Sequence, residues 1–425
     1  MTAEAVRTAP RVLLSEVMRR GRVRGAVGLF GPALIASVAY VDPGNFATNF
    51  LGGAAHGYRL GWAIVLANLV AIVVQYLTSK AGLATGRSLP ELCRARYGRR
   101  TNALLWIQAE LVAMATDLAE FVGAAAGLNL VFGVPPLPAG LITGALAFLI
   151  LALEQRGFRK FELAIVALLV LIAGGFGYLF FAVGHQDYGQ LTAGLVPGTD
   201  GGDSLELVVA IVGATVMPHV VYLHSALQSN RIHAADARGR RTLSRYNTWD
   251  CVLGLGAAGL VNLAMLWVAA ALLHRPGHGT GDFAGVHAQL ASLVGGGAAL
   301  AFGVALMASG LSSSSVGTCA GQVVMAGFVN VRIPLVLRRA LTMVPSLVVL
   351  GFAVDTSQAL LYSQVGLSLG IPFALVPLLV LTRDGKVMGD LVNRRGTTAL
   401  LAVLTVLITG LNTYLVGDAV VGLFQ

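Results

Sequence analysis

Charge is scarce in this sequence. Only 12% of its 425 residues are Asp, Glu, Lys or Arg, about half the share of a soluble globular domain, and this shortage excludes a water-facing surface over most of the chain. Cysteine is nearly absent. Cys93, Cys251 and Cys319 stand alone, without the paired spacing of a disulfide framework or a structural zinc site, and read as small apolar residues. Also missing are a His-Glu-x-x-His pair, a Gly-x-Ser-x-Gly turn and a phosphate-cradling Gly-x-x-x-x-Gly-Lys, so an enzyme or an ATP-driven machine has no support. No low-complexity linker or intervening soluble domain breaks the chain.

What is present is hydrophobic: 56% of residues are apolar. They gather in runs from Gly25 to Tyr40, Gly61 to Gln75, Leu104 to Leu130, Leu137 to Leu153, Leu163 to Val183, Leu205 to Leu227, Val252 to Leu273, Ala298 to Val324, Leu341 to Val354, Leu360 to Leu381 and Leu400 to Val416. With its flanks each approaches the roughly 20 residues that cross a bilayer. The expectation is an all-α polytopic membrane protein with 11 transmembrane helices. An odd number places the termini on opposite sides.

The basic residues set the orientation, because cytoplasmic loops carry the excess of Lys and Arg. Arg7, Arg11, Arg19, Arg20, Arg22 and Arg24 precede the first run, the second loop from Lys80 to Arg100 adds six more, and alternate connections carry most of the rest, leaving Arg59 and Arg275 outside the pattern. The opposite loops hold Asp187, Asp200, Asp203, Asp282, Asp355 and Asp418. The amino terminus is therefore expected in the cytoplasm and the carboxyl terminus outside. The net charge of +9 belongs to this topology and calls for no nucleic-acid partner. The longest extramembrane connections are expected near Gly184 to Ser204 and Arg231 to Asn247.

Two interruptions carry the chemistry. In the first run Asp42-Pro43-Gly44-Asn45 must open the helix, since proline lacks a donor and glycine loosens the backbone. Asp42 either caps the second half-helix or, as an ionisable group within a membrane, marks a functional site. In the sixth run Ala214-Thr215-Val216-Met217-Pro218-His219 repeats the Ala, Val and Pro positions of the first break. Five spans separate the two, so their halves have opposite orientation, the signature of an inverted repeat around a midplane site. The expected organisation is a basic tail over 1–24, five-helix repeats over 25–184 and 185–382, and a cytoplasmic loop with an eleventh helix over 383–425.

Asp42, Asn45, the Met217 thioether and backbone carbonyls freed near Ala39 and Ala214 describe a mixed site for a divalent first-row metal. Sulfur disfavours Mg2+ and Ca2+. Gln364 lies before Gly370-Ile371-Pro372, and reaches this site or serves as interhelical glue. Glu110, Asp117 and Glu120, spaced seven and three apart, share one face of the third span; His219 and His224 extend the titratable set. Such a row is a proton relay, or else a set of structural ion pairs with Arg231, Arg338 and Arg339. Ser312 to Ser315 read mainly as hydroxyls bonded back to their own helix.

Asp42 to Asn45 in the first span and Met217 to His219 in the sixth resemble the markers of the natural resistance-associated macrophage protein family, and the similarity extends from Gly25 to Phe424. The resemblance implies a LeuT-like fold with a 5+5 inverted repeat and broken helices 1 and 6, importing Mn2+ and Fe2+ with protons by alternating access. It implies Asp42, Asn45 and Met217 as side-chain ligands, carbonyls of Ala39 and Ala214 beside them, and Gln364 in some states. His219, Glu110, Asp117 and Glu120 fall at its proton-pathway positions. No permanently bound cofactor is implied; the metal is substrate and H+ co-substrate, in a monomer of the inner membrane. An amino-acid/cation symporter of the same architecture would present a half-helix end to a substrate carboxylate, which Asp42 would repel. A membrane metal sensor would add a signalling domain.

Overall fold

The computed structural model describes residues 12–19, 28–155, 157–184, 186–198, 202–229, 231–234, 236–274, 282–331, 333–352 and 356–422. Helix dominates, as the backbone of a lipid-embedded chain must satisfy its own hydrogen bonds. A short amino-terminal helix, α1 (Leu14–Arg19), precedes the first broken span, formed by α2 (Pro32–Val38), a 3-10 turn over Ala39–Val41 and α3 (Pro43–His56). Then come α4 (Gly61–Thr85), the short α5 (Leu89–Arg96), α6 (Arg99–Phe132), α7 (Pro136–Gln155) and α8 (Phe158–Ala182). After the small α9 (Tyr188–Ala193), the second broken span is α10 (Gly202–Thr215) followed by α11 (Pro218–Ser229). The remainder is α12 (Ala237–Leu273), α13 (Phe283–Leu293), α14 (Gly296–Phe328), α15 (Leu335–Gly351), α16 (Thr356–Ser368), α17 (Ile371–Thr382), α18 (Gly385–Met388) and α19 (Arg395–Gly422).

Among the described residues nine helices are long and apolar enough to cross a membrane, with Pro32–Val41 as a shorter apolar piece. One of the nine, Pro43–Thr85, joins α3 to α4 and so covers parts of two expected spans, and α15, at the place of the expected ninth span, is 17 residues long. Two expected boundaries shift. The connection from Arg231 to Asn247 is already helical from Ala237, its start capped by Asp236, which accepts from the Gly239 amide at 2.9 Å. Lys80 is not in a loop but buried within α4, donating to Asn393 Oδ1 at 2.5 Å. A long stem lets such a cation reach a polar partner from an apolar helix.

Close backbone approaches place the broken helices at the centre. On α6, a methyl at Gly123 would overlap the Pro43 ring, so this glycine lets the third span lie directly beneath the first break. A methyl at Gly310 of α14 would meet the Ala124 amide nitrogen of α6 at 2.5 Å and the Glu120 carbonyl oxygen at 2.6 Å. Van der Waals packing through small faces is what joins helices where lipid removes the hydrophobic drive. Large apolar side chains face outward instead, among them Leu111, Leu149, Phe181, Leu260 and Val406. At one end Val12–Leu13 (β1) pairs in parallel with Ile232–His233 (β2), and Val17 of α1 packs with Leu29 and Leu243.

Candidate metal centre

The first break is built as the sequence dictates. Asp42 has extended backbone (φ −83°, ψ 170°) and caps α3, with Pro43 in the first helical position. Its Oδ1 accepts from the Asn45 amide at 2.8 Å and from Asn45 Nδ2 at 2.7 Å. Oδ2 has no partner although the residue is fully buried. Capping and site are therefore not alternatives: one oxygen caps and the other is left over. A buried carboxylate oxygen without a donor is costly, and here it faces the break with room for a positive partner still to be supplied.

Asn45 joins the two breaks. Its Nδ2 also donates to the Ala214 carbonyl at 3.0 Å, where α10 ends, and Thr215 Oγ1 approaches Asn45 Oδ1 at 3.5 Å. Met217 and Ala39 are buried beside their respective breaks. Gln364 of α16 is buried with Oε1 unpartnered, and methyls on either Gly44 of α3 or Gly213 of α10 would overlap it. It thus touches both broken spans. The inventory is one free carboxylate oxygen, two carboxamides, a thioether and backbone carbonyls. No group of three or more His, Cys, Asp and Glu side chains suited to a metal occurs among the described residues, so any central site draws on mixed donors.

Carbonyls freed by the first break are not wasted. The Tyr40 carbonyl accepts from Asn262 Nδ2 of α12 at 2.8 Å, and the Val41 carbonyl from Ser309 Oγ of α14 at 2.6 Å. Asn262 Oδ1 accepts in turn from Asn49 Nδ2 at 3.0 Å. Sequence reasoning missed all three. Asn262 interrupts an apolar run and was detectable as an intramembrane polar residue; Ser309 is hidden among other small residues. Asp250 of α12 was missed too, and it accepts from the Gly31 and Ala33 amides at 3.1 and 2.9 Å, capping α2.

The acid row lies on α6, next to the break. Asp117 is ion-paired with the fully buried Arg339 of α15 and accepts from Ser314 Oγ at 3.1 Å. Glu110 pairs with Arg338. Glu120 is buried with neither carboxylate oxygen hydrogen-bonded. His219 Nδ1 of α11 is 3.4 Å from Thr116 Oγ1 of α6, with Nε2 unpartnered. His224 is placed elsewhere, in a chain with Gln75 (2.8 Å) and the Tyr40 hydroxyl (2.6 Å). Arg231 does not join the row either. It donates to the Phe30 carbonyl at 2.8 Å and lies 3.9 Å from Glu162. Of the serine run, Ser312 and Ser315 bond back to Ala308 and Leu311, whereas Ser314 turns to Asp117.

Taken together, two discontinuous helices tied by one asparagine, with an orphaned carboxylate oxygen between them and ionisable groups lining a neighbouring helix, define a multi-pass membrane protein built around a buried polar centre. The solved structures that it resembles have the same architecture. A mutant of the manganese transporter of Eremococcus coleocola is similar with a TM-score of 0.85 and 33% identity, covering 95% of this chain and 88% of that one. Mhp1, a nucleobase-cation-symport-1 family transporter, shares the fold alone, at a TM-score of 0.61 and 15% identity over 84% of this chain and 77% of that one. The divalent metal cation transporter MntH of Deinococcus radiodurans is 48% identical over 94% of this chain and 92% of its own length; its Bacillus subtilis namesake is 41% identical over 98% and 99%. The family model for natural resistance-associated macrophage protein-like proteins matches residues 33–418. The chain belongs to that family, and its fold is the LeuT-like one expected from the sequence.

Proposed function

We propose that this protein is a secondary active transporter that imports divalent transition metals, Mn2+ and Fe2+, coupled to protons by alternating access. The observation that carries the reading is Asp42 Oδ2, buried and unpartnered at a helix break whose neighbour Asn45 bonds across to the second break. The relatives named above as divalent metal cation and manganese transporters point the same way.

In this reading Asp42, Asn45 and Met217 ligate the ion, helped by carbonyls of Ala39 and Ala214, with Gln364 joining in some states. Met217 sulfur favours a first-row transition ion over Ca2+ and Mg2+, which prefer oxygen. A dication beside Asp42 lowers the carboxylate's affinity for a proton, which then passes by way of His219 to Asp117 and along the row of Glu120 and Glu110. Arg338 and Arg339 hold Glu110 and Asp117 of this row as ion pairs, whereas His224 and Arg231 lie apart from it. The repeats are 25–184 and 185–382, flanked by the tail 1–24 and the segment 383–425. The chain works as a monomer in the inner membrane with eleven spans, its amino terminus in the cytoplasm and its carboxyl terminus outside, and without a resident cofactor.

The test is Mn2+ uptake into proteoliposomes at two external pH values, comparing wild type with Asp42→Ala and using Ca2+ as competitor. Uptake that needs Asp42, rises in acid and ignores Ca2+ is expected. Absence of uptake by the wild-type protein would turn attention to the amino-acid symporter or sensor readings.

A further inference from the structure

At the first break two acceptors call on one donor. In an unbroken α-helix each carbonyl accepts from the amide four residues further on, so the Val41 carbonyl would be served by the Asn45 amide. That amide is directed to Asp42 Oδ1 instead, at 2.8 Å. The carboxylate is thus capped with the very N–H that the preceding carbonyl needs. A buried carbonyl does not stay without a partner at no cost. The break can hold its shape only if another donor reaches Val41.

Ser309 of α14 is that donor. Its Oγ donates to the Val41 carbonyl at 2.6 Å, and both residues are fully buried. A serine inside a helix ordinarily turns its hydroxyl back to a carbonyl three or four residues earlier, as Ser312 and Ser315 do on this helix. Ser309 points across to the first broken span instead. The helix that carries it is well fixed: Gly310, the next residue, lies against the backbone of α6, and Ser314 donates to Asp117 on that same helix. The donor is therefore held in register with the acid row.

We propose that Ser309 is a positioning residue for the Asp42 carboxylate: by satisfying the Val41 carbonyl it releases the Asn45 amide to Asp42 and keeps the break open, with one carboxylate oxygen left for the ion. This rests on the reading of Asp42 as a metal ligand and deepens it. Without the Ser309 hydroxyl, the buried Val41 carbonyl competes for the Asn45 amide and draws the chain toward regular helix. Asp42 Oδ1 then loses one of the two bonds that Asn45 gives it, and the carboxylate leaves the orientation in which Oδ2 is free.

Two measurements on the full-length protein in detergent test this. Equilibrium binding of radioactive Mn2+ should weaken roughly two- to tenfold in Ser309→Ala, the range for one lost neutral hydrogen bond. It should be unchanged in Ser315→Ala, which removes another buried hydroxyl from the same helix, one bonded only to Leu311 of its own turn. The second measurement is a double-mutant cycle in thermal unfolding without metal. In Asp42→Ala no carboxylate competes for the Asn45 amide, so adding Ser309→Ala should lower the melting temperature by less than it does in the wild-type background. An equal loss in both backgrounds would make Ser309 a packing residue and overturn the proposal, and so would undiminished Mn2+ binding by Ser309→Ala. Wild-type Mn2+ binding that does not need Asp42 would overturn the metal reading of the site instead, while the cycle, which uses no metal, still decides whether Ser309 holds the break.

Discussion

Asn45→Ala separates the two roles that the structure gives to one side chain. Asn45 Nδ2 donates both to Asp42 Oδ1 and to the Ala214 carbonyl, while the backbone amide of residue 45 keeps its own bond to Asp42 whatever side chain follows. Removing the carboxamide therefore deletes one bond to a charged group, about 1.5–3 kcal/mol, and one neutral bond, about 0.5–1.5 kcal/mol, an expected loss of roughly 2–4.5 kcal/mol in stability without metal. If Asn45 is also a ligand, Mn2+ affinity falls as well. At a Mn2+ concentration 100 times the dissociation constant, binding stabilises the wild-type protein by about 2.7 kcal/mol; at the same concentration a tenfold weaker variant gains about 1.4 and a hundredfold weaker one about 0.4 kcal/mol. Thermal unfolding in detergent, with and without Mn2+, reads both quantities. A variant that melts earlier but gains as much from Mn2+ as wild type would refute the ligand role and leave Asn45 as a strut between the breaks.

Met217→Ala should keep Mn2+ transport with reduced affinity and admit Ca2+ or Mg2+, read by competition in uptake assays; unchanged discrimination removes the thioether from the site. Asp117→Asn retains the side-chain shape and an acceptor for Ser314 but leaves Arg339 buried without its anion, so the protein should lose about 3–5 kcal/mol of stability and take up fewer protons per metal ion in a pH-dye assay. Full proton uptake would exclude Asp117 from the path. Gly310→Ala drives a methyl against the backbone of α6 and should cost about 1–3 kcal/mol by overpacking, lowering the melting temperature without altering metal selectivity; an unchanged melting temperature would mean that α6 and α14 yield more readily than their contact suggests.

Much of this arrangement was legible in the sequence because its signals are local. Asp42-Pro43-Gly44-Asn45 breaks a helix through the covalent nature of proline, and hydropathy marks the helices through bilayer thickness. Asn45 could be named for the same reason. Its bond to Ala214 spans 169 positions and no local pattern announces it. Arg231 shows the limit more sharply. Its charge and its loop were plain, but the partners it finds, Glu162 and the Phe30 carbonyl, depend on which helix ends assemble there. Lys80 was placed in a loop because charge was taken to end a span, whereas its buried partner Asn393 lies 313 residues away. Asn262 and Ser309 act only on carbonyls that exist because the first helix is broken, so their role follows from tertiary packing.

The first half-helix has one more property. α2 is seven residues long, too short to hold its shape alone. Both ends are fastened to α12: Asp250 takes the Gly31 and Ala33 amides, and Asn262 takes the Tyr40 carbonyl just past the other end. The long helix therefore acts as a splint. Any state in which α2 swings free of α12 must first break two charge-assisted bonds at about 1.5–3 kcal/mol each, so a population of more than about one molecule in a hundred needs a new partner for Asp250 or for the freed amides. The rigidity of a break in this protein is set by a carboxylate that lies some 200 residues away from it in the chain (217 between Ala33 and Asp250).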